Sequence, residues 1–565
     1  MKIFKLLILT LLIACQASQN QTIKEPEIGP LGEQAMVSSA HPLATRAGVE
    51  VLKNGGNAID AAVAVKFALA VVFPRAGNIG GGGFALYRMN DGSIGSLDFR
   101  EKAPLNSNRD MFLDEDGNVI ENMSTIGHKA SGVPGSVDGI LKLHEKFGAK
   151  PLAELIQPSI NLAFYGFTIT ENQAEELNEK QELFSEVNGS DFFLLKDVPW
   201  QEGDTLKFTE LAGTLTQIRD RGREGFYSGI VADQIVKEMQ RGGGLISEED
   251  LQNYNSQWRE PIKGEYRGHT IISMPPPSSG GVAVIQLLQG AEQYDIGSMG
   301  HNTPETIHLM TELERRVYAD RATHSGDPDF YDVPLDMLLD PAYNKERFSD
   351  ISLSEKTDSQ DIKEGKVDVI ESVETTHFSI VDPEGNAVSL TTTLNSFFGC
   401  KVYVRGAGFF LNNEMDDFSA KPGIPNQFGL VGGEANAIQP EKRMLSSMTP
   451  TIVEKDGQLK MVVGTPGGST IITSVFQSIM NVIDHGMSMQ DAVNATRTHS
   501  QWLPDRILIE RRPINEDVIG ELEEMGHQIE RREAMGRMDC ILVREDGKLE
   551  GGADYTRGDN YAEGF

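Results

Sequence analysis

The residues with the clearest chemical potential lie in the last third of the chain, where Ser389, Thr391 and Thr393 alternate along a predicted strand. Alternation places their hydroxyl groups on one face of the strand. A hydroxyl group becomes a nucleophile only when a base accepts its proton, and the same pattern is ordinary in an exposed antiparallel strand. The neighbourhood favours a functional site, because it holds further polar and glycine motifs: Asn395, residues 412–418, Ser446-Ser447 and residues 464–469.

No metal-binding or phosphate-binding motif accompanies these residues. The eleven histidines include no HExxH or other metal-ligand spacing. A glycine run at residues 77–83 follows a predicted helix, whereas a phosphate loop follows a strand, and no Gly-Lys-Ser/Thr is present. Close backbone packing is therefore the favoured interpretation of these glycines. We predict no catalytic metal and no cofactor.

A β-hairpin is expected to position the alternating hydroxyl groups. Residues 375–381 and 387–394 both read as strands, and the turn between them is Asp382-Pro383-Glu384-Gly385-Asn386. Before this hairpin, residues 352–371 are rich in Asp, Glu, Lys and Ser and poor in large apolar residues, which predicts an exposed, mobile linker.

Helices are expected to dominate the first two thirds of the chain. Apolar residues recur at helical spacing over residues 44–52, and Asn54-Gly55-Gly56 is typical of a helix end. Residues 58–73 are apolar nearly all round, which predicts a buried helix. Residues 306–321 carry a third regular pattern.

The composition excludes several classes of protein. With 51 basic and 83 acidic residues, the 565-residue chain has a formal charge of -32, which argues against a nucleic-acid partner. Its 39% hydrophobic and 24% charged residues are typical of a globular protein. Three isolated cysteines exclude a disulfide framework, and Cys400 and Cys540 are expected to be buried free thiols.

The N-terminus has the features of an export signal. Lys2 and Lys5 precede a short apolar run, and residues 1–14 are interpreted as a signal peptide. The run ends at Cys15 in a sequence that resembles a bacterial lipobox, so we expect lipidation of Cys15, with residues 15–30 as a polar tether. The predicted location is the periplasm or the cell surface, with the lipid anchor as the only membrane contact.

Seven spaced motifs carry a resemblance to one family. They are residues 55–62, 97–101, 275–281, 375–379, 411–420, 445–450 and 466–469. In this order they resemble the motifs of the γ-glutamyltranspeptidases (glutathione hydrolases), which belong to the N-terminal nucleophile superfamily. The resemblance covers nearly the whole mature chain. It implies a mixed α/β fold of the αββα four-layer type, formed jointly by two subunits.

The resemblance implies a precursor that cuts itself between Glu374 and Thr375. The large subunit would contain residues 31–374 after the tether, and the small subunit residues 375–565, in one interwoven catalytic domain. Cleavage frees the α-amino group of Thr375, and its pKa near ~8 allows it to accept the hydroxyl proton close to neutral pH. Thr375 would then be both nucleophile and base. A triad through His377 is rejected for the same reason, and His377 is interpreted as a packed strand residue.

Further catalytic roles follow from the same resemblance. Thr393 would orient the hydroxyl group of the nucleophile. Gly467 and Gly468 would form the oxyanion hole, because glycines allow two backbone N–H groups to approach one developing charge. Residues 422–436 resemble a lid loop over the substrate pocket.

The resemblance also assigns residues to the two ends of a γ-glutamyl group. Arg100 would bind its α-carboxylate, with help from the hydroxyl groups of Ser446 and Ser447. Three side chains would accept hydrogen bonds from its α-ammonium group: Asn395, Glu414 and Asp417. The expected donors are glutathione and other γ-glutamyl compounds, and the expected acceptors are water, amino acids and peptides.

Two alternatives stay open at this point. One is a glutaryl or cephalosporin acylase of the same superfamily, although a glutaryl group lacks the amine and would leave Asp417 and its companions unpaired. The other is an unprocessed, non-catalytic binding lipoprotein, which the presence of Thr375, Thr393, Gly467 and Gly468 disfavours.

Overall fold

The computed structural model describes residues 26–359, 362, 375–421, 423–430 and 432–565. The predicted signal peptide, Cys15, most of the tether, Glu374 and much of the linker expected at residues 352–371 lie outside the described residues. Among the described residues, no helix combines the length and the apolar composition that a membrane-spanning helix needs.

The described residues form nineteen strands and eighteen α-helices. The strands are β1 Leu31–Gly32, β2 Met36–Ser39, β3 Gly82–Arg88, β4 Ile94–Asp98, β5 Phe167–Thr168, β6 Thr205–Leu206, β7 Gln257–Arg259, β8 Ile262–Tyr266, β9 His269–Ser273, β10 Thr376–Val381, β11 Ala387–Thr393, β12 Thr451–Lys455, β13 Gln458–Val463, β14 Thr498–His499, β15 Ile507–Glu510, β16 Ile529–Arg532, β17 Asp539–Val543, β18 Leu549–Ala553 and β19 Tyr561–Gly564. The helices are α1 Pro42–Lys53, α2 Ala58–Val72, α3 Ser136–Phe147, α4 Leu152–Tyr165, α5 Glu171–Glu179, α6 Gln181–Asn188, α7 Thr209–Arg221, α8 Glu224–Tyr227, α9 Ile230–Gly242, α10 Glu248–Asn253, α11 Gly280–Ala291, α12 Ile296–Met299, α13 Pro304–His324, α14 Leu335–Leu338, α15 Pro341–Arg347, α16 Thr470–Ile483, α17 Met489–Asn494 and α18 Glu516–Glu524.

Two seven-stranded sheets form the centre of the molecule. Their strand orders are β1-β18-β17-β13-β12-β9-β8 and β19-β2-β10-β11-β3-β4-β7. Each sheet combines strands from both sides of the predicted cleavage position. In the second sheet, β10 and β11 lie between β2 and β3, which come from the predicted large subunit. Neither predicted subunit could therefore complete these sheets alone.

Helices cover the outer faces of the two sheets. Helices α1, α2 and α3 pack on the second sheet, whereas α11 and α17 pack on the first. Helix α16 packs against α11 and α17. Apolar side chains of both sheets meet between the sheets, among them Leu86, Ile452 and Ile541. The predicted αββα four-layer sandwich is confirmed.

The predicted buried helix is confirmed as α2, whose fifteen residues are all buried. It begins at a capping box in which the Asn57 side chain accepts from the Asp60 backbone N–H, while the Asp60 carboxylate accepts from the Asn57 N–H. The helix buries the basic residue Lys66 as well. This burial is tolerated because Lys66 Nζ donates hydrogen bonds to the Asn78 carbonyl at 2.7 Å and to Thr392 Oγ1 at 2.8 Å.

The predicted hairpin is confirmed, with Thr376 opposite Thr392 and His377 opposite Thr391. The hydroxyl groups of β11 are not exposed, however, because the strand is covered on both faces and all of its residues are buried. Ser389 Oγ instead donates to the Val463 carbonyl of the facing sheet at 3.2 Å.

Hydrogen bonds attach the described part of the expected linker to the rest of the protein at Ser359. Residues 352–355 are exposed as predicted, but Ser359 is buried. Arg315 Nη1 donates to Ser359 Oγ at 2.6 Å, and Trp502 Nε1 donates to the Ser359 carbonyl at 3.0 Å. Composition alone does not reveal these contacts, because both partners are distant in sequence. Cys400 and Cys540 are buried free thiols, as expected.

Candidate active site

Most of the residues singled out from the sequence line one cavity. Its lining includes Arg100, Thr375, Thr393, Asn395, Asp417, Ser446, Ser447 and Gly468. Glu414 does not line the cavity but lies behind it, in contact with Arg100. Gly467 is not among the lining residues and precedes Gly468 directly. The predicted cleavage residue Glu374 and the predicted lipidation site Cys15 lie outside the described residues.

The hairpin brings the two threonines together. Thr375 directly precedes β10, and Thr393 is the last residue of β11. Because the strands are antiparallel neighbours, the beginning of one lies beside the end of the other. Thr393 Oγ1 accepts the backbone N–H of Asn395 at 2.6 Å, and the Thr393 hydroxyl group also neighbours the Glu414 carboxyl as a hydrogen-bonding group. Asn395 adopts a left-handed conformation with φ 71°.

The two glycines precede the N-terminus of α16. Gly467 has φ 147° and Gly468 has φ 55°, values that favour glycine. A Cβ atom at Gly467 would approach Thr470 Oγ1 to 2.6 Å. The N-terminus of a helix carries unpaired N–H groups and a partial positive charge, which together stabilise an oxyanion.

Arg100 is held by buried carboxylates at the other end of the cavity. Its Nη1 lies 2.7 Å from Glu414 Oε2, and its Nη2 lies 2.5 Å from Asp417 Oδ2. Nε and Nη2 also donate to the carbonyls of Met444 and Leu445 at 3.3 and 3.1 Å. Most of the donors of this guanidinium group are therefore used within the protein.

Burial shapes the protonation of this cluster. It raises the pKa of the Glu414 carboxyl well above its usual range, although Arg100 acts in the opposite direction. Burial also raises the pKa of Asp417, again against the effect of Arg100. The pKa of Arg100 itself is raised: burial would lower it, but Glu414, Asp417 and Glu101 outweigh that effect. Arg100 therefore stays charged.

A loop covers the cavity in the region of the predicted lid, whose residues 422 and 431 are not described. Phe428 is buried and lines the cavity. Asn426 Nδ2 donates to Asp417 Oδ1 at 3.1 Å, and Gln501 Nε2 donates to the Phe428 carbonyl at 3.1 Å. The loop is thus attached both to the charged cluster and to Gln501, which follows β14.

Two buried charged residues near the cavity were missed by the sequence reasoning. Glu101 lies with its Oε2 atom 3.6 Å from Arg100 Nη1, and burial raises its pKa to about 7. Its position directly after Arg100 was a signal that could have identified it. Arg321 lines the cavity from the end of α13, and nothing in the spacing of that helix distinguishes it from Arg315 or Arg316.

His377 is a packed strand residue, as interpreted from the sequence. It is fully buried, with Nδ1 2.9 Å from Thr391 Oγ1 and Nε2 3.1 Å from Ser379 Oγ. Burial lowers its pKa to about 3, so the imidazole is neutral near neutral pH. It is not among the residues that line the cavity.

Among the described residues, one group has donor atoms close enough to hold a metal ion: His308, Glu312 and His527. His308 Nδ1 and His527 Nε2 lie 2.7 Å apart in a hydrogen bond, and Arg315 Nη2 lies 3.3 Å from His527 Nδ1. None of the three lines the active-site cavity. The absence of a catalytic metal stays a prediction.

The fold and the site define the class of protein. A threonine that precedes a central strand of an αββα sandwich, beside glycine N–H groups and a charged pocket, is the arrangement of an N-terminal nucleophile hydrolase.

Comparison with known proteins defines the family. Residues 44–564 match the Gamma-glutamyltranspeptidase family. The chain is 45% identical over 535 residues to the glutathione hydrolase proenzyme of Escherichia coli, which covers 94% of this chain and 92% of that protein. The chain therefore belongs to the γ-glutamyltranspeptidase family, and it is an enzyme with γ-glutamyl hydrolase and transferase activity that is made as a proenzyme.

Solved structures of both an acylase and a γ-glutamyltranspeptidase are similar to this chain. The cephalosporin acylase from Bacillus halodurans superposes with a TM-score of 0.83 at 26% identity, over 97% of this chain and 99% of that one. The γ-glutamyltranspeptidase of Helicobacter pylori gives a TM-score of 0.57 at 47% identity, over 60% of this chain and 97% of that one.

Proposed function

We propose that this enzyme cleaves itself between Glu374 and Thr375 and then uses Thr375 to accept the γ-glutamyl group of glutathione and related compounds. Water or the amine of an amino acid or peptide would release the group. The observation that supports these roles is the convergence of Thr375, Thr393, Gly468 and the charged cluster on one cavity.

The proposed reaction begins with proton transfer from the Thr375 hydroxyl to its own α-amino group. The oxygen attacks the γ-carbonyl carbon of the donor, and the charge that develops on the carbonyl oxygen is stabilised by the N–H groups at Gly467 and Gly468. The α-ammonium group returns the proton to the leaving amine as the γ-glutamyl ester forms. Thr393, whose hydroxyl oxygen is fixed by Asn395, would orient the nucleophile.

Recognition of the γ-glutamyl group would use charges that neutralise each other in this structure. Arg100 pairs with Asp417 and Glu414, so the substrate must exchange these contacts for its own carboxylate and ammonium groups. The exchange conserves the number of ion pairs, which keeps the cost of desolvation low. A donor that offers only one of the two charges would leave a buried partner uncompensated.

Donor preference distinguishes this proposal from the acylase alternative. We expect kcat/KM for a γ-glutamyl anilide to exceed that for the matching glutaryl anilide by at least about 100-fold, because the glutaryl group cannot pair with Asp417. Steady-state hydrolysis of the two anilides by the purified enzyme measures this ratio. Equal rates, or a preference for glutaryl, would contradict the proposed pairing of the α-ammonium group with Asp417.

We also propose that the protein is exported and anchored through lipid on Cys15, with its catalytic part in the periplasm or at the cell surface. The support is the signal-like sequence of residues 1–14 and the cysteine that follows it. Wild-type protein is expected to sediment with membranes and to incorporate labelled palmitate, whereas Cys15→Ser is expected to do neither. Unlabelled wild-type protein in the soluble fraction would refute the anchor.

A further inference from the structure

Arg321 is a buried arginine of the active-site cavity that has no carboxylate partner among the described residues. Its side chain lines the cavity, and the residue is 7% exposed. Arg100, in the same cavity, contacts Glu414 and Asp417, but no carboxylate oxygen lies within 4.0 Å of Arg321 in the described part of the chain. A buried cation without a paired anion is costly unless a ligand supplies the anion.

The hydrogen bonds of Arg321 go to hydroxyl groups instead. Nε donates to Ser279 Oγ at 2.9 Å, and Nη2 donates to Ser447 Oγ at 3.2 Å. A guanidinium group can only donate, so both hydroxyl oxygens act as acceptors. Ser279 directs its own proton to the Ser446 carbonyl at 2.7 Å. Arg321 therefore supports the backbone of the Ser446-Ser447 segment and also sets the orientation of the Ser447 hydroxyl group.

The hydroxyl proton of Ser447 must point away from Arg321. The hydroxyl group accepts from Arg321, and no further hydrogen bond of Ser447 Oγ is present among the residues described. Ser447 also lines the cavity, so its proton is available to an acceptor there. An anionic acceptor is favoured, because Arg321 adds positive charge next to it.

The charges of Arg100 point to the same role. Its guanidinium group is already surrounded by Glu414 at 2.7 Å, Asp417 at 2.5 Å and Glu101 at 3.6 Å. A carboxylate ligand that met Arg100 alone would have to compete with these carboxyl groups for its donors. Arg321 lies on the same cavity and supplies a second positive charge that no carboxylate of the described residues contacts.

We propose that Arg321 is a positioning residue for the α-carboxylate of the donor. It directs the Ser447 proton toward that carboxylate and provides the positive charge that balances it. The inference rests on the proposed function and deepens it, because it assigns the selection of donors with a free α-carboxylate to a residue outside the sequence motifs.

The test compares two donors that differ only at this group: a γ-glutamyl anilide and the same compound with its α-carboxylate converted to a carboxamide. Wild-type enzyme is expected to prefer the carboxylate donor. In Arg321→Gln the ratio of the two kcat/KM values is expected to fall about 10- to 100-fold, since hydrogen bonds to charged groups are the strong ones. The change should come mainly from KM of the carboxylate donor, while kcat/KM for the carboxamide donor stays within about threefold.

A matched control separates this role from general support of the fold. Arg316 is buried on the same helix, donates to Glu312 Oε2 at 2.8 Å and does not line the cavity. Arg316→Gln is expected to lower the melting temperature without changing the donor ratio. If Arg321→Gln lowered kcat/KM for both donors equally, the residue would be merely structural and the inference would be overturned.

A second variant and the wild-type enzyme keep the test decisive. Should Arg321→Gln fail to fold, Arg321→Lys retains the charge but cannot form the same fork, so a loss of about 3- to 10-fold in the donor ratio is expected. An unchanged ratio in Arg321→Lys would then overturn the inference. Turnover of neither donor by the wild-type enzyme would count against the proposed function itself, whereas turnover with an unchanged ratio in the variants would count against the role of Arg321 alone.

Discussion

Replacing Thr375 with valine is expected to abolish both cleavage of the precursor and turnover of γ-glutamyl donors. Valine has the shape of threonine but no hydroxyl group, so neither the scissile peptide bond nor the donor can be attacked. We expect a single uncut chain on a denaturing gel and a loss of about 10⁴- to 10⁶-fold in kcat, as for removal of other catalytic nucleophiles. Thr375→Ser, which restores a hydroxyl group, should recover cleavage and part of the activity.

The neighbouring threonine provides a matched control for this experiment. Thr376 is also buried, and its hydroxyl oxygen has no hydrogen-bond partner among the described residues. Thr376→Val is therefore expected to be cleaved and active, because the variant loses no hydrogen bond. Cleavage and full activity in Thr375→Val would show that another residue is the nucleophile.

Replacing Arg100 with glutamine is expected to have the largest effect on substrate binding. The change removes the positive charge between Glu414 and Asp417, which lie 2.7 and 2.5 Å from its guanidinium group. Losing one partner of a buried charged pair typically costs several kcal/mol, so we expect kcat/KM for a γ-glutamyl anilide to fall about 100- to 1,000-fold. The free energy of unfolding should also fall by about 3–5 kcal/mol, because two carboxylates stay buried.

An exposed arginine supplies the comparison. Arg511 pairs with Glu533 at 2.8 Å, and their side chains are 64% and 79% exposed. Arg511→Gln is expected to change the free energy of unfolding by less than about 0.5 kcal/mol and to leave kcat/KM unaltered. Steady-state kinetics and urea unfolding measure both quantities. An Arg100→Gln enzyme that kept kcat/KM within a few-fold of wild type would exclude Arg100 from substrate recognition.

Local signals in the sequence were sufficient for the elements that carry the nucleophile. The turn at residues 382–386 and the alternation on either side predicted β10 and β11, because both depend on neighbouring residues. The apolar residues of α2 predicted its burial in the same way. The order of the layers came from the resemblance to a family, since strands from distant parts of the chain join each sheet.

The sequence could not predict contacts between residues that lie far apart along the chain. Whether an arginine lines a cavity depends on which elements pack against its helix, so Arg321 could not be told from Arg315 or Arg316 before the fold was known. Composition predicted exposure for the linker, but the burial of Ser359 depends on Trp502, which lies far along the chain. The burial of β11 on both faces likewise follows from the four-layer packing, which strand alternation does not reveal.

The most direct test of the central claim is intact-mass analysis of the purified enzyme, before and after brief reaction with a γ-glutamyl donor and quenching in acid. We predict two fragments that meet at residues 374 and 375. After reaction, the fragment that begins at Thr375 should be heavier by one glutamyl group, and peptide mapping should place the added mass on Thr375. A single uncut chain in active enzyme, or an added glutamyl group on any other residue, would contradict the assignment of Thr375 as the nucleophile released by cleavage.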